Sequence, residues 1–304
     1  MADALEPLPL PEWKPTCDTL HMWTQVIGKI RLALAPRVNH WWETALYVTP
    51  RGLTTSAIPY KDRLFDCEFD FLNHQLLIRS SDGRNAKVLL VPRSVADFYF
   101  ETMSRLHECG IDVEIWTTPS EVDNPIPFEK DHEHDSYDRD AIERFRRILI
   151  FSDRVLNRFR AGFIGKCSPV HFFWGSFDMA VTRFSGRRAP ANPTADSITR
   201  EAYSHEVSSA GWWPGSPAIG AAYYSYAAPA PDGFKDAKVE PPEATYNEAM
   251  SIFVLPYDAV RNAPDPEDAL LRFCQSTYDA AADLGNWDRA ALERAPEDGP
   301  LPSR

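Results

Sequence analysis

The chain predicts an α+β protein made of two related halves, each a helix, a run of antiparallel strands and a second helix. Three observations carry this prediction. Apolar residues recur at helical spacing in four separate stretches. Between those stretches the pattern changes to period two, with turns short enough for hairpins. The landmarks also repeat. Gly28-Lys29 leads through Pro36 to His40-Trp41-Trp42, and Gly165-Lys166 leads through Pro169 to His171-Phe172-Phe173-Trp174. Val88-Leu89-Leu90-Val91-Pro92 and Phe253-Val254-Leu255-Pro256 then enter the closing helices, which end at Gly110 and Gly285. Matched landmarks at both ends of each half predict an internal duplication forming one compact unit.

Residues 1–18 are proline-rich and read as an extended lead-in. Asp18 or Thr19 is placed to cap a helix with Leu20, Trp23, Val26, Ile27, Ile30 and Leu34 on its apolar face, stopped by Pro36. His21, Gln25 and Lys29 share one stripe of that helix. Such a stripe is ordinarily the solvent side; its functional reading is the lining of a cleft. Trp42 to Val48, Phe65 to Phe71, Leu76 to Ile78 and Val88 to Leu90 read as strands, and Asp82-Gly83 as a hairpin turn. His74, beside a turn asparagine, is expected at the surface. Ser94 caps a helix over 95–108, and Ile111 to Trp116 is expected as a strand closing a first half at 19–118.

Residues 119–137 form a charged, proline-rich connector. The second half, 138–295, opens with a long helix whose stripe is Ile142, Phe145, Ile148, Leu149, Val155, Leu156 and Phe159. A strand pair follows through Phe184. Residues 185–222 read as a long irregular loop rich in aromatics, the kind of segment that binds or covers a ligand. Strands are expected over 223–226 and 250–255, with a loop at 229–245 between them, and a helix over 265–284. Residues 296–304 are expected as a disordered tail.

The 304 residues carry a net charge of -12. An acidic chain repels phosphate backbones, so no nucleic-acid partner is expected. No stretch approaches the ~20 apolar residues of a membrane span, so no membrane partner is expected either. Cys17, Cys67, Cys109, Cys167 and Cys274 are dispersed, without a C-x-x-C pair. That fits free thiols in a reducing compartment, and the acidic N-terminus lacks the features of a signal peptide. A cytoplasmic location follows as the expectation.

His171 and His40 are the candidate acid–base groups, since a histidine titrates near ~6.5; the competing reading is a satisfied structural histidine. Asp178 shares a strand face with Trp174 and Ser176 and is expected either to orient His171 or to form an ion pair with Arg183 or Arg187. Trp42, Trp174, Trp212 and Trp213 are expected to line a pocket between the halves, with Gln25, Lys29, Arg183, His205 and Glu206 as further ligand contacts. Lys29 or Arg183 would hold an anionic group. His132-x-His134-Asp135 and His205-Glu206 are the only metal candidates, and neither has a third ligand at a diagnostic spacing, so no metal site is assigned. Lys166-Cys167 places a cation beside a thiol, which would lower its pKa. There is no P-loop, G-x-G-x-x-G, G-x-S-x-G or H-E-x-x-H, so no cofactor is predicted.

Several segments resemble a known group. They are Leu20 to Lys29, Val38 to Trp42, Pro92 to Tyr99, Phe163 to Asp178, Arg200 to Glu206 and Gln275 to Tyr278. Together they are similar to an uncharacterised bacterial family with only a domain-of-unknown-function label, the 5996 group. The resemblance spans about Leu20 to Asp288 and implies one intact unit, without implying an activity. The residues themselves point first to a small-molecule enzyme of acid–base or hydrolytic chemistry. A small-molecule binding or sensing protein without turnover and a structural or interaction protein are the alternatives. Oligomeric state is open.

Overall fold

In the computed structural model, which describes residues 5–216 and 218–295, helix α1 (Leu10–Leu34) opens the fold. It begins well before Asp18, inside the stretch expected to be extended. Pro9 is its N-cap and Pro11 lies in its first turn, where a missing N–H costs nothing. Its end falls just before Pro36, as expected.

The first sheet contains β1 (Tyr47–Val48), β2 (Gly52–Thr54), β3 (Ile58–Tyr60), β4 (Arg63–Asp70), β5 (Gln75–Ser80) and β6 (Asn85–Leu89). Its order is β1-β2-β4-β5-β6, with β3 pairing β4 off this path, all antiparallel. The register sets Cys67 opposite Ile78 and Phe69 opposite Leu76, so one face is continuously apolar and fully buried. Gly83, at φ 89°, closes the β5–β6 hairpin at the expected Asp82-Gly83 turn. Helix α2 (Val95–Glu108) begins at Ser94, whose hydroxyl accepts from Asp97 N–H. Trp23 of α1 stacks on Phe98 of α2 at 4.7 Å, and Phe98 lies against Phe69 of the sheet. Burying each such ring is worth about 1.5–3 kcal/mol.

One expected strand is shortened to β1 and another is absent. His40, Trp41 and Trp42 lie in a 3-10 turn over Asn39–Thr44, with His40 and Trp41 both at φ 60°. Residues 111–116 carry no strand pairing.

Helix α3 (Arg139–Ala161) carries the expected apolar stripe, all of it buried. The second sheet contains β7 (His171–Phe173), β8 (Asp178–Arg188), β9 (His205–Trp213), β10 (Ala222–Ala228), β11 (Thr245–Asn247) and β12 (Ile252–Pro256), in the order β11-β12-β10-β9-β8-β7. The expected aromatic loop at 185–222 is therefore mostly regular structure. β8 runs on to Arg188, the short helix α4 (Ser197–Ala202) follows, and β9 occupies 205–213. At the sheet centre Tyr223 faces Trp212 on one side and Leu255 on the other, all fully buried. Helices α5 (Tyr257–Arg261), α6 (Pro266–Leu284) and α7 (Arg289–Leu292) complete the described chain. The expected tail at 296–304 lies outside the described residues.

The architecture is α+β, with two antiparallel sheets of six strands each among the described residues. Long helices α1 and α3 each precede a sheet, and α2 and α6 follow them. This succession does not establish a duplication. β11 turns back to the outer edge of its sheet, and the matched histidine landmarks fall on a 3-10 turn in one case and a strand in the other. Packing sorts the chain into two units. The first is Met1–Phe151 with His171–Met179 and Pro214–Ala221; the second is Ser152–Val170, Ala180–Trp213 and Ala222–Arg304. Cys17, Cys67, Cys109 and Cys274 are buried and Cys167 is half-buried, all as free thiols.

Candidate functional site

In the first unit, the polar stripe of α1 faces inward. Gln25 is fully buried and Lys29 is 5% exposed, so the solvent-side expectation for His21, Gln25 and Lys29 is overturned. Two segments cover the stripe. The first is the connector at 118–121. Gln25 Nε2 donates to the Ser120 carbonyl (2.9 Å), and Gln25 Oε1 accepts from Ser120 N–H (2.7 Å). Lys29 Nζ donates to the Thr118 carbonyl (2.9 Å) and to Ser120 Oγ (3.2 Å). The second is the turn after β7. His21 Nε2 lies 2.9 Å from the Gly175 carbonyl and 3.0 Å from Gln25 Nε2. The Trp174 ring centroid is 5.7 Å from Lys29 Nζ, within cation–π range.

Trp174 reaches this position because Gly28 has no side chain. A Cβ built on Gly28 would come far inside van der Waals contact with the Trp174 indole. The indole N–H donates to the Thr44 carbonyl at 2.7 Å, which fixes the ring. Gly175 serves a similar purpose, since a Cβ there would collide with the Glu121 carboxylate. Glu121 itself adopts φ 56°, a left-handed backbone that costs a non-glycine residue of order 1 kcal/mol or more.

The electrostatics of this cluster are unusual. Burial pulls the Lys29 ammonium down to about 8, because its hydrogen-bond partners are neutral oxygens and no carboxylate offsets the lost hydration. Burial likewise lowers the pKa of His21. Part of Glu121 reaches solvent, yet its carboxyl lies over Gly175, and desolvation there raises its pKa. A lysine and a histidine pushed down thus share one stripe of α1, and a carboxyl pushed up lies in the segment that covers it. At neutral pH an appreciable fraction of the Lys29 amine is unprotonated, as a general base or nucleophile must be.

The other expected site residues are placed differently. His171 is 1% exposed, its ring enclosed edge-on by Trp42 (5.6 Å), Tyr47 (5.5 Å) and Phe173 (5.3 Å). His40 packs on Trp42 at 5.4 Å, so the two imidazoles do converge, about one indole. Both rings are buried among aromatic side chains. The Asp178 carboxylate accepts from Ser176 Oγ. Neither expected arginine is its ion-pair partner. Arg187 pairs with Glu206 at 2.6 Å, and Ser185 Oγ also donates to Glu206 at 2.8 Å. Arg183 is 1% exposed, with its guanidinium 3.5 Å from the Phe159 centroid and 4.2 Å from that of Tyr278, and it donates to the Phe159 carbonyl. Sealed in this way, Arg183 cannot hold an anionic substrate. His205 lies against Ser204 Oγ at 3.0 Å, Trp212 is fully buried in β9, and Trp213 is half-buried beside it. The Cys167 thiol is pushed up by burial, contrary to the lowering expected from Lys166.

His132 and Asp135 line an open hollow of about 570 Å³ in the first unit, together with Arg93, Asp97 and Asp138. His134 binds Asp131 at 2.8 Å. Among the described residues, no group of three or more His, Cys, Asp and Glu is arranged to hold a metal. No helix among them is long and apolar enough to cross a membrane.

Sequence reasoning named Gln25, Lys29 and Trp174 but missed Ser120, Thr118 and Glu121. Two of those three contribute backbone carbonyls, which leave no trace in residue identity. The left-handed backbone at Glu121 has no sequence signal either.

A family model described as a family of unknown function (DUF5996) matches residues 5–294, and the chain belongs to that family. No curated protein and no solved structure matches it.

Proposed function

We propose that this family member is a small-molecule enzyme whose working group is the Lys29 amine, used as general base or nucleophile. The observation that carries the proposal is a buried amine whose hydrogen bonds go only to neutral oxygens, an environment that lowers its pKa. Titratable groups driven apart by their surroundings cluster at catalytic sites. His21 and Glu121 are the accompanying groups, and Trp174 supplies the aromatic wall. Substrate entry would require the 118–121 segment to lift from α1. The absence of nucleotide-binding motifs supports chemistry without a nucleotide cofactor, and the free thiols and acidic composition support a cytoplasmic setting.

A second reading, small-molecule binding without turnover, is favoured by one observation. Both Lys29 hydrogen bonds go to the connector rather than to open space.

Competitive acetylation across pH, read by peptide mass spectrometry, tests the amine directly. Lys29 should acetylate with a midpoint near 8, against roughly 10.4 for an exposed lysine. Hydrolysis of p-nitrophenyl acetate should fall about 100-fold in Lys29→Met. An ordinary midpoint, or a Lys29 that stays unmodified in the native protein at every pH, would remove the amine from any catalytic role. A midpoint near 8 with equal hydrolysis in both proteins would leave the binding reading.

A further inference from the structure

The second unit has a hollow of about 540 Å³ that takes no part in the Lys29 cluster. Its wall is apolar: Pro190, Pro193 and Pro229, several alanines, and Tyr203. The Tyr203 hydroxyl is engaged with Tyr226 at 3.0 Å, while the residue stays 41% exposed. Two arginines, Arg188 and Arg200, also line the hollow, and both are exposed.

Several arginines of the second unit are held in ion pairs. Arg187 is fastened to Glu206, Arg272 to Asp268 and Glu240, and Arg289 to Asp279, Asp283 and Glu293. Neither Arg188 nor Arg200 forms an ion pair with any described residue, although acidic residues outnumber basic ones in this chain. After burial, the charges of Lys166 and Arg188 are what hold His205 below its ordinary pKa. Two cations without an ion-pair partner among the described residues, beside an apolar wall, suit an anion that carries a hydrocarbon body. The guanidinium fork matches a carboxylate bidentately, and the prolines, alanines and tyrosine ring suit a hydrocarbon body. The volume lies within the ~300–1,000 Å³ usual for small-ligand sites.

We infer that this hollow binds a small amphiphilic carboxylate, its head on Arg188 and Arg200 and its apolar body on the proline, alanine and Tyr203 wall. The site is independent of the Lys29 proposal and stands or falls separately.

Calorimetric titration of the full chain with octanoate tests it, with octanol and octylammonium as matched probes. Octanoate should bind saturably at one site, more weakly as salt is raised. Octanol and octylammonium should not saturate. Arg188→Gln with Arg200→Gln should weaken octanoate by at least about tenfold. Both positions are exposed, so the fold should survive; if the double variant does not fold, each single substitution reads its own share of the loss. The inference is overturned by the absence of saturable octanoate binding, by equal binding of octanol, or by full affinity in the arginine variants.

Discussion

Gly28→Ala sets two effects of opposite sign against each other, and the structure decides between them. In an exposed helix interior, alanine is favoured over glycine by about 0.8–1.0 kcal/mol. At Gly28 the new methyl would clash with the indole of Trp174. That ring is only 7% exposed and is tied to the Thr44 carbonyl at 2.7 Å. Restoring a carbon–carbon separation of about 3.5 Å requires the ring to retreat by roughly 1 Å or more. The retreat loses the indole hydrogen bond, about 1 kcal/mol, and overpacks the surrounding core by about 1–3 kcal/mol. The clash therefore wins, with a net destabilisation of about 1–3 kcal/mol. Urea unfolding followed by circular dichroism measures it. The same substitution placed on Trp174→Leu should become neutral or stabilising by up to about 1 kcal/mol, because only the helix preference remains. Gly28→Ala that stabilises by itself, or costs the same in both backgrounds, would show that Trp174 does not occupy the space above α1.

Two further outcomes follow from buried cations. The Lys29 amine has a folded pKa near 8 and an unfolded value near 10.5, so between those values the unfolded chain binds more protons. Stability should thus rise as pH climbs from about 8 to 10.5, and Lys29→Met should lack that increment when melting temperatures of the two proteins are compared across the same range. At Arg183, the planar guanidinium lies over Phe159 and Tyr278 in a site where charge is costly. Arg183→Lys keeps the charge and loses the stacking, so it should cost more than Arg183→Met, by about 1–2 kcal/mol in urea unfolding. The reverse order would mean that charge itself is needed there.

Parts of the fold were legible wherever local chemistry and tertiary packing agreed. The Ser94 cap, the Gly110 stop, the stripe of α3 and the Asp82-Gly83 turn all report short-range physics, and each falls where expected. The start of α1 was hidden because prolines read as breakers; Pro9 and Pro11 sit at its cap and first turn, where a helix tolerates them, while Pro15 lies inside it. β9 was hidden for a different reason. His205-Glu-Val-Ser-Ser-Ala-Gly-Trp-Trp213 has no clean alternation, and it buries Ser208 and Ser209 in the middle of a sheet. At the site, Gln25 and Lys29 were visible as a stripe, but their direction was not. Nothing in a helical stripe says that a connector some ninety residues away will supply the carbonyls that let it turn inward.

The disposition of the five sulfhydryls has its own consequence. Four are enclosed, and the environment of every one disfavours the thiolate that oxidants and alkylating agents attack, with Cys274 raised to about 12. Oxidative damage to this protein would then record loss of structure rather than cause it. Sulfur chemistry becomes a gauge of how often the chain opens, with Cys167, the half-enclosed one, marking the loosest part of that gauge.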